Sequence, residues 1–244
     1  GALRELEQVE GPARSSVLDS LAITHYYAGD YGQATALARA GLQLSEQTAN
    51  QEGISFELNF LGSCAKSPGD YQEARAYFQR ASELALGLRD EIGAAMVFNN
   101  LGNLLQLTGD WAGALRYYQQ SGELFKAHDH VHGAATTLAN AGKLAGKQGS
   151  YDKARQLLGE SLALKRQIGD PRGEAVALAG LGEVALATGA LGDAKMHLRE
   201  ALELAQRTGD LKLMLEIFVA FAELSARQGQ HGAAVRLLDF TVNH

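Results

Sequence analysis

Between Asp90 and Ala127, apolar residues recur at helical spacing in two successive runs, separated by the polar step Gly109-Asp110. The stretch DEIGAAMVFNNLGNLLQLTGDWAGALRYYQQSGELFKA therefore predicts two amphipathic helices joined by a tight turn. The pattern repeats along the chain. Gly29-Asp30 and Gly69-Asp70 match Gly109-Asp110, and Gly149-Ser150, Gly189-Ala190 and Gly229-Gln230 continue the series in steps of 40 residues. An alanine follows each step at constant spacing: Ala34, Ala74, Ala114, Ala154, Ala194 and Ala234. The preceding helix carries a small residue in the same register: Ala22, Gly62, Gly102, Gly142, Gly182 and Ala222. Two such rows at one period predict an all-α chain, an alpha-alpha superhelix built as a solenoid of antiparallel helical hairpins.

The period divides the chain into a single array with repeats at about 12–50, 51–90, 91–130, 131–170, 171–210 and 211–244. In the second repeat the helices are expected at Ile54–Ser67 and Tyr71–Leu88. Residues 1–10 read as the tail of a preceding helix, because ALRELEQVEGP shares the apolar spacing of SLALKRQIGDP at 161–171. That likeness reads as a fragment of a longer protein that opens inside a repeat, with a short capping helix as the alternative. Asp30, Asp70 and Asp110 are expected to cap the second helices, and Pro171 suits a first helical turn. The glycine before each Asp is expected to end its helix in the left-handed conformation. Gly102 and Ala114 are expected to face each other across their hairpin, where close approach excludes larger side chains. In the last repeat Val235, Leu238 and Phe240 point outward in this register, so self-association through the array ends is expected.

Composition narrows the function. The 28 glycines fall at repeated positions and only three prolines interrupt the chain, which excludes collagen and random linker. No apolar run approaches the length of a membrane span, and GALRELEQVE lacks the order of a signal peptide. The single Cys64 excludes an internal disulfide framework and fits a reduced, cytoplasmic setting. A formal charge of −6 with interspersed signs argues against direct nucleic-acid binding. There is no GxxxxGK[ST] phosphate loop and no nucleophile–base pair at interpretable spacing, so the chain reads as a non-enzyme without a cofactor. His128, His130 and His132, with Asp129, form a metal-like cluster, but they fall in a turn and no metal site is expected. Cys64 reads as a core residue and Trp111 as a packing residue.

Leu101, Gly102, Leu105, Ala114, Tyr118 and Ser121 resemble the signature of the tetratricopeptide repeat. Leu61, Gly62, Ala65, Ala74, Phe78 and Ala81 resemble it in the second repeat. The spacing of 40 residues replaces the family's common length of about 34. The phrases LGEVALATGALGDAKMHLREALELAQRTGD and AELSARQGQHGAAVRLLD are similar to the C-terminal repeat arrays of large bacterial ATP-binding transcriptional regulators. NNLGNLLQLTGDWAGAL also resembles the repeats of mitotic-spindle adaptors, which hold extended peptides. The alanine-rich, arginine-containing second half favours the bacterial group. The resemblance implies a protein- or peptide-binding scaffold, a fragment of a larger regulatory protein, or an inducer-sensing module; the apolar array end independently allows a self-associating structural solenoid.

The resemblance also implies which first-helix positions face a groove. One row is Asp19, Asn59, Asn99, Ala139, Ala179 and Val219; a second is Ser20, Phe60, Asn100, Asn140, Gly180 and Ala220. A third is Ile23, Ser63, Asn103, Lys143, Glu183 and Glu223. Asn59, Asn99, Asn100, Asn103 and Asn140 form an amide ladder that can donate to and accept from a peptide backbone. Asn100 and Asn140 alternatively tie adjacent helices together. Lys143 is a candidate for an acidic group, while Phe56, Phe60 and Met96 offer apolar contacts. The groove is expected to be polar or basic in its middle and acidic toward its end.

Overall fold

The computed structural model describes residues 12–242, so the expected helix tail at 1–10 lies outside the described residues. Twelve helices follow in order. They are α1 (Pro12–Tyr27), α2 (Tyr31–Gln47), α3 (Gln51–Lys66), α4 (Tyr71–Leu88), α5 (Glu91–Leu107) and α6 (Trp111–Ala127), then α7 (Val131–Lys147), α8 (Tyr151–Gln167), α9 (Pro171–Ala187), α10 (Leu191–Thr208), α11 (Leu211–Arg227) and α12 (His231–Val242). Short turns make consecutive helices antiparallel. The chain divides into two compact units, Gly1–Leu124 and Phe125–His244. In the first, α2 packs on α1 and α3, and α4 on α3 and α5, while α3 also touches α5. The second has the same plan: α8 packs between α7 and α9, α10 between α9 and α11, and α9 touches both α7 and α11. Each unit is thus a stack of helix pairs, a tetratricopeptide-type solenoid.

The hairpins close on an interlock of small and large residues. A Cβ placed on Gly62 would lie 2.6 Å from the Phe78 ring, and one on Gly102 would lie 2.5 Å from the Tyr118 ring. Gly142 meets Leu158 and Gly182 meets Leu198 in the same way, at 2.8 and 2.7 Å. Phe78, Tyr118, Leu158 and Leu198 are all buried. In the first repeat the register places buried Ala22 opposite Ala38, so an added methyl on one helix coincides with a truncated side chain on the other. Ala34, Ala74, Ala114, Ala154 and Ala194 have no exposed surface, which leaves no room for enlargement on the second helix either.

Polar groups reinforce this register. Ser121 Oγ donates to the Ala95 carbonyl and Ser161 Oγ to the Ala135 carbonyl, both at 2.7 Å. In the second repeat the bond runs the other way between equivalent positions, from Ser55 Oγ to the Ala81 carbonyl at 3.2 Å. Lys165 is buried, and its stem lies where a Cβ on Gly173 would be. Its ammonium donates to Asp170 Oδ2 at 2.8 Å and Thr136 Oγ1 at 2.9 Å, binding α7 and α8 to the cap of α9.

The helix ends follow the expected chemistry with two differences. Asp30 accepts from the Gln33 amide and Asp110 from the Gly113 amide, at 3.1 and 2.8 Å. Asp70 makes no such bond. Pro68 in that turn has no amide to offer, unlike Thr108, whose amide bonds the Leu104 carbonyl, and Gly69 opens to φ +104°. Secondly, α3 begins at Gln51 rather than Ile54, because Asn50 accepts from the Gly53 amide at 3.1 Å and caps the helix earlier. Pro171 occupies the first turn of α9 as expected. The turn inside every hairpin uses a left-handed glycine, but the turns between repeats also place Ala49, Arg89 and Asp129 at φ +52°, +60° and +52°.

Glu57 departs from the pattern. Its register partners Val97, Thr137, Ala177 and Ile217 carry no charge, yet Glu57 is only 2% exposed. Gly41 makes its room: a Cβ there would collide with the Glu57 carboxyl. Burial, then the neighbouring Asp19 carboxylate, raises the Glu57 pKa from 4.5 to about 9. Asp19 Oδ1 is buried without a hydrogen-bond partner.

Three outcomes test this account. Gly102→Ala should cost about 1–3 kcal/mol in urea unfolding, and far less in a Tyr118→Ala background, because the clash then disappears. Arg89→Gly should stabilise the chain by about 0.5–1 kcal/mol, because relief of the left-handed penalty outweighs the added chain entropy. For Glu57, the folded state holds a proton that the unfolded state releases between pH 4.5 and about 9, so stability falls as pH rises through that window. Glu57→Gln keeps the shape and the donor of the neutral acid. Its melting temperature should therefore fall less than the wild type's between mildly acidic and mildly alkaline pH, and parallel curves would contradict the assignment.

Candidate functional site

The candidate residues lie on the first helices, which pack on the helices before and after them yet leave part of their surface exposed. In the first unit, Phe56 on α3 and Met96 on α5 occupy equivalent positions, each 41% exposed. Asn59, Asn99, Asn100 and Asn103 are half-buried. Asn100 Nδ2 donates to Asn59 Oδ1 at 2.9 Å, joining α5 to α3. The bond uses one donor and one acceptor, and the amide inventory leaves the Asn59 NH2 and the Asn100 carbonyl with further capacity. Asn103 Oδ1 accepts from the Tyr118 hydroxyl at 2.7 Å, with Gln106 Oε1 3.1 Å from that hydroxyl. Burial raises the Tyr118 pKa, so the phenol stays a donor. Asn99 is engaged as well.

The amide ladder is therefore partly a structural network in the first unit. Phe60 differs from Phe56 and Met96. It is half-buried, packs on the cluster of Leu18, Ala22 and Leu37, and lies 5.6 Å from Tyr26 between ring centres. Tyr26 in turn touches the Tyr27 and Tyr31 rings and accepts a hydrogen bond from Ser67 Oγ at 3.2 Å.

In the second unit Asn140 is half-buried and engaged. Lys143 and Lys147 on α7 and Glu183 on α9 line a recess of about 150 Å³, with Tyr151 at its side and Gly146 and Gly180 among its walls. Glu183 reaches solvent, but its surroundings raise its pKa. Desolvation is the largest cause, opposed by Lys143 and Lys147 and assisted by Glu216 and Glu223 of α11. The sequence places Lys143, Glu183 and Glu223 in one row, and the structure brings Lys143, Lys147 and Glu183 around one recess.

The histidine cluster has other work. The His130 ring stacks on Phe125 with 5.0 Å between centroids, and its Nδ1 accepts from the Gly133 amide. His132 Nδ1 lies 3.4 Å from Asp170 Oδ2. Among the described residues no group of three His, Cys, Asp or Glu side chains could hold a metal. Cys64 is buried, and burial raises its thiol pKa to about 11, which keeps it protonated and unreactive. Trp111 is 40% exposed at the start of α6. No described helix is long and apolar enough to cross a membrane.

Comparison with known proteins agrees with this architecture. Residues 15–53 and 58–86 each match a tetratricopeptide repeat profile. None of the curated proteins matches the chain in sequence. Among solved structures, it is similar to the Rap protein complexed with Competence and Sporulation Factor, with a TM-score of 0.81 and 18% identity over 99% of this chain and 67% of that one. It is also similar to the type IV pilus biogenesis factor PilW, at TM-score 0.64 and 20% identity, over 93% and 91% of the two chains. A signal transduction ATPase with numerous domains and a tetratricopeptide repeat sensor, from Pyrococcus horikoshii, matches at TM-score 0.67 and 16% identity. The match takes in 98% of this chain but 38% of the ATPase. These identities show a shared fold. The profile of the MalT-like TPR region matches residues 89–241, more than half of the chain, which therefore belongs to the MalT-like TPR family.

Proposed function

We propose that this chain is a non-catalytic scaffold that holds an extended segment of a partner protein against its first helices. The observation that carries the reading is the exposure of Phe56 and Met96 at equivalent positions of α3 and α5, beside the amides Asn59 and Asn99. Exposed apolar anchors one repeat apart suit alternate side chains of an extended peptide, and neighbouring amides suit its backbone. Asn100 and Asn103 orient that surface through their bonds to Asn59 and Tyr118. Asn140 and Lys143 carry the corresponding role in the second unit. The Rap structure, which holds Competence and Sporulation Factor, supports partner binding on this fold. A metabolite-sensing role draws support from the tetratricopeptide repeat sensor of the Pyrococcus ATPase. The recess beside Lys143 and Glu183, at about 150 Å³, does not support it, being below the roughly 300–1,000 Å³ of small-molecule sites. We also assign the module to the cytoplasm, a reading supported by the single, unpaired Cys64.

The test is selection of random peptides by the wild-type chain, followed by affinity measurement with Phe56→Ser plus Met96→Ser. Loss of at least about tenfold in affinity with an unchanged melting temperature is expected, the size of one or two apolar anchors. Undiminished binding by the double variant would refute this assignment of the surface.

A further inference from the structure

We infer that the recess between α7 and α9, together with the facing side of α11, is a charge-polar subsite for an extended peptide bearing one acidic and one basic residue. This deepens the partner-binding reading and rests on it. Lys143 and Lys147 stand on one helix, Glu183 on the next, and Glu216 on the one after. Among the described residues neither lysine forms an ion pair or a hydrogen bond, although both face Glu183 across the recess. Glu183 and Glu216 likewise have no cation in contact. Glu223 differs, because Arg227 bonds it at 2.6 Å and also donates to the Leu186 carbonyl at 2.7 Å. The unit therefore presents two lysines facing Glu183 across the recess, with Glu216 on α11 within electrostatic reach of Glu183, none of them joined in an ion pair among the described residues.

An occupant with both signs completes this arrangement. A carboxylate between Lys143 and Lys147 gains two charge-assisted donors. An ammonium or guanidinium beside Glu183 adds a direct ion pair to a partly desolvated carboxylate that Lys143 and Lys147 support only from across the recess. Volume agrees: about 150 Å³ accommodates a side chain or two rather than a folded surface. Spacing follows from packing. Neighbouring helices lie about 8–10 Å apart, and extended chain advances about 3.3 Å per residue, so the two charges belong about three residues apart. A purely acidic segment meets Glu183 and Glu216, and a purely basic one meets the lysines. Each sign excludes the wrong partner.

The experiment uses the full chain and synthetic nonapeptide pools with uncharged randomised positions. The pools fix Glu-x-x-Lys, Lys-x-x-Glu, Glu-x-x-Glu, Lys-x-x-Lys or Gln-x-x-Gln at their centre. One mixed-sign pool should bind at least about tenfold more tightly than the Gln pool at low salt, and this preference should shrink as salt rises. Lys143→Glu with Lys147→Glu should transfer the preference to Lys-x-x-Lys. Lys147→Glu alone, at an exposed position, should abolish the preference if the double variant does not fold. Glu183→Lys with Glu216→Lys should transfer it to Glu-x-x-Glu. Equal binding of all pools, or a preference that these variants leave unchanged, would overturn the subsite while leaving peptide binding intact. Failure of every pool and of an unbiased random library would overturn both.

Discussion

The close approach of the two helices in each hairpin governs the rest of this structure. Where Gly62, Gly102, Gly142 and Gly182 stand, a Phe, Tyr or Leu from the second helix occupies the volume of the missing side chain. The interlock is steric, and small errors in it are felt because the interior is close-packed. It recurs from repeat to repeat, so neighbouring pairs inherit the same offset and each unit stacks in register. The Ser121 and Ser161 bonds to the facing helix act at the same junction, and their reversal at Ser55 shows that only the crossing, not its direction, is required.

That constraint also decides where function can reside. In each unit the first helices of successive repeats also touch one another, so their exposed positions form a shared surface. On that surface the first unit carries amides and exposed apolar side chains, and the second carries opposed charges around a small recess. The two chemistries are complementary as features of a peptide: backbone and apolar side chains in one, a charge pair in the other. Electrostatic complementarity of this kind contributes more to selection and encounter rate than to bulk affinity.

Much of the fold was legible because its determinants are local in size and period. Glycine before the turn, alanine four residues after it and a small residue before it specify the hairpin by themselves. Asp70 was misread as a cap because the effect of Pro68 on the turn is geometric. Glu57 was invisible as a buried residue, because only Gly41, on another helix, makes space for its carboxyl. The groove was legible as rows of residue types but not as an arrangement. Asn59 and Asn100 are 41 residues apart, one more than the period, so their bond joins two different rows. The recess was hidden for a similar reason: Lys143 and Glu183 were visible as one row, but their gathering with Lys147, Tyr151 and Val184 depends on how α7, α8 and α9 pack.

Hydrogen–deuterium exchange of the full chain, alone and saturated with a peptide recovered from a random nonapeptide library, tests the central claim that the first helices hold the partner. Peptide binding should slow exchange in α3, α5, α7 or α9 and leave the outer surfaces of α4, α8 and α10 at their original rates. Protection concentrated in α4, α8 or α10, with the first helices unchanged, would contradict the account.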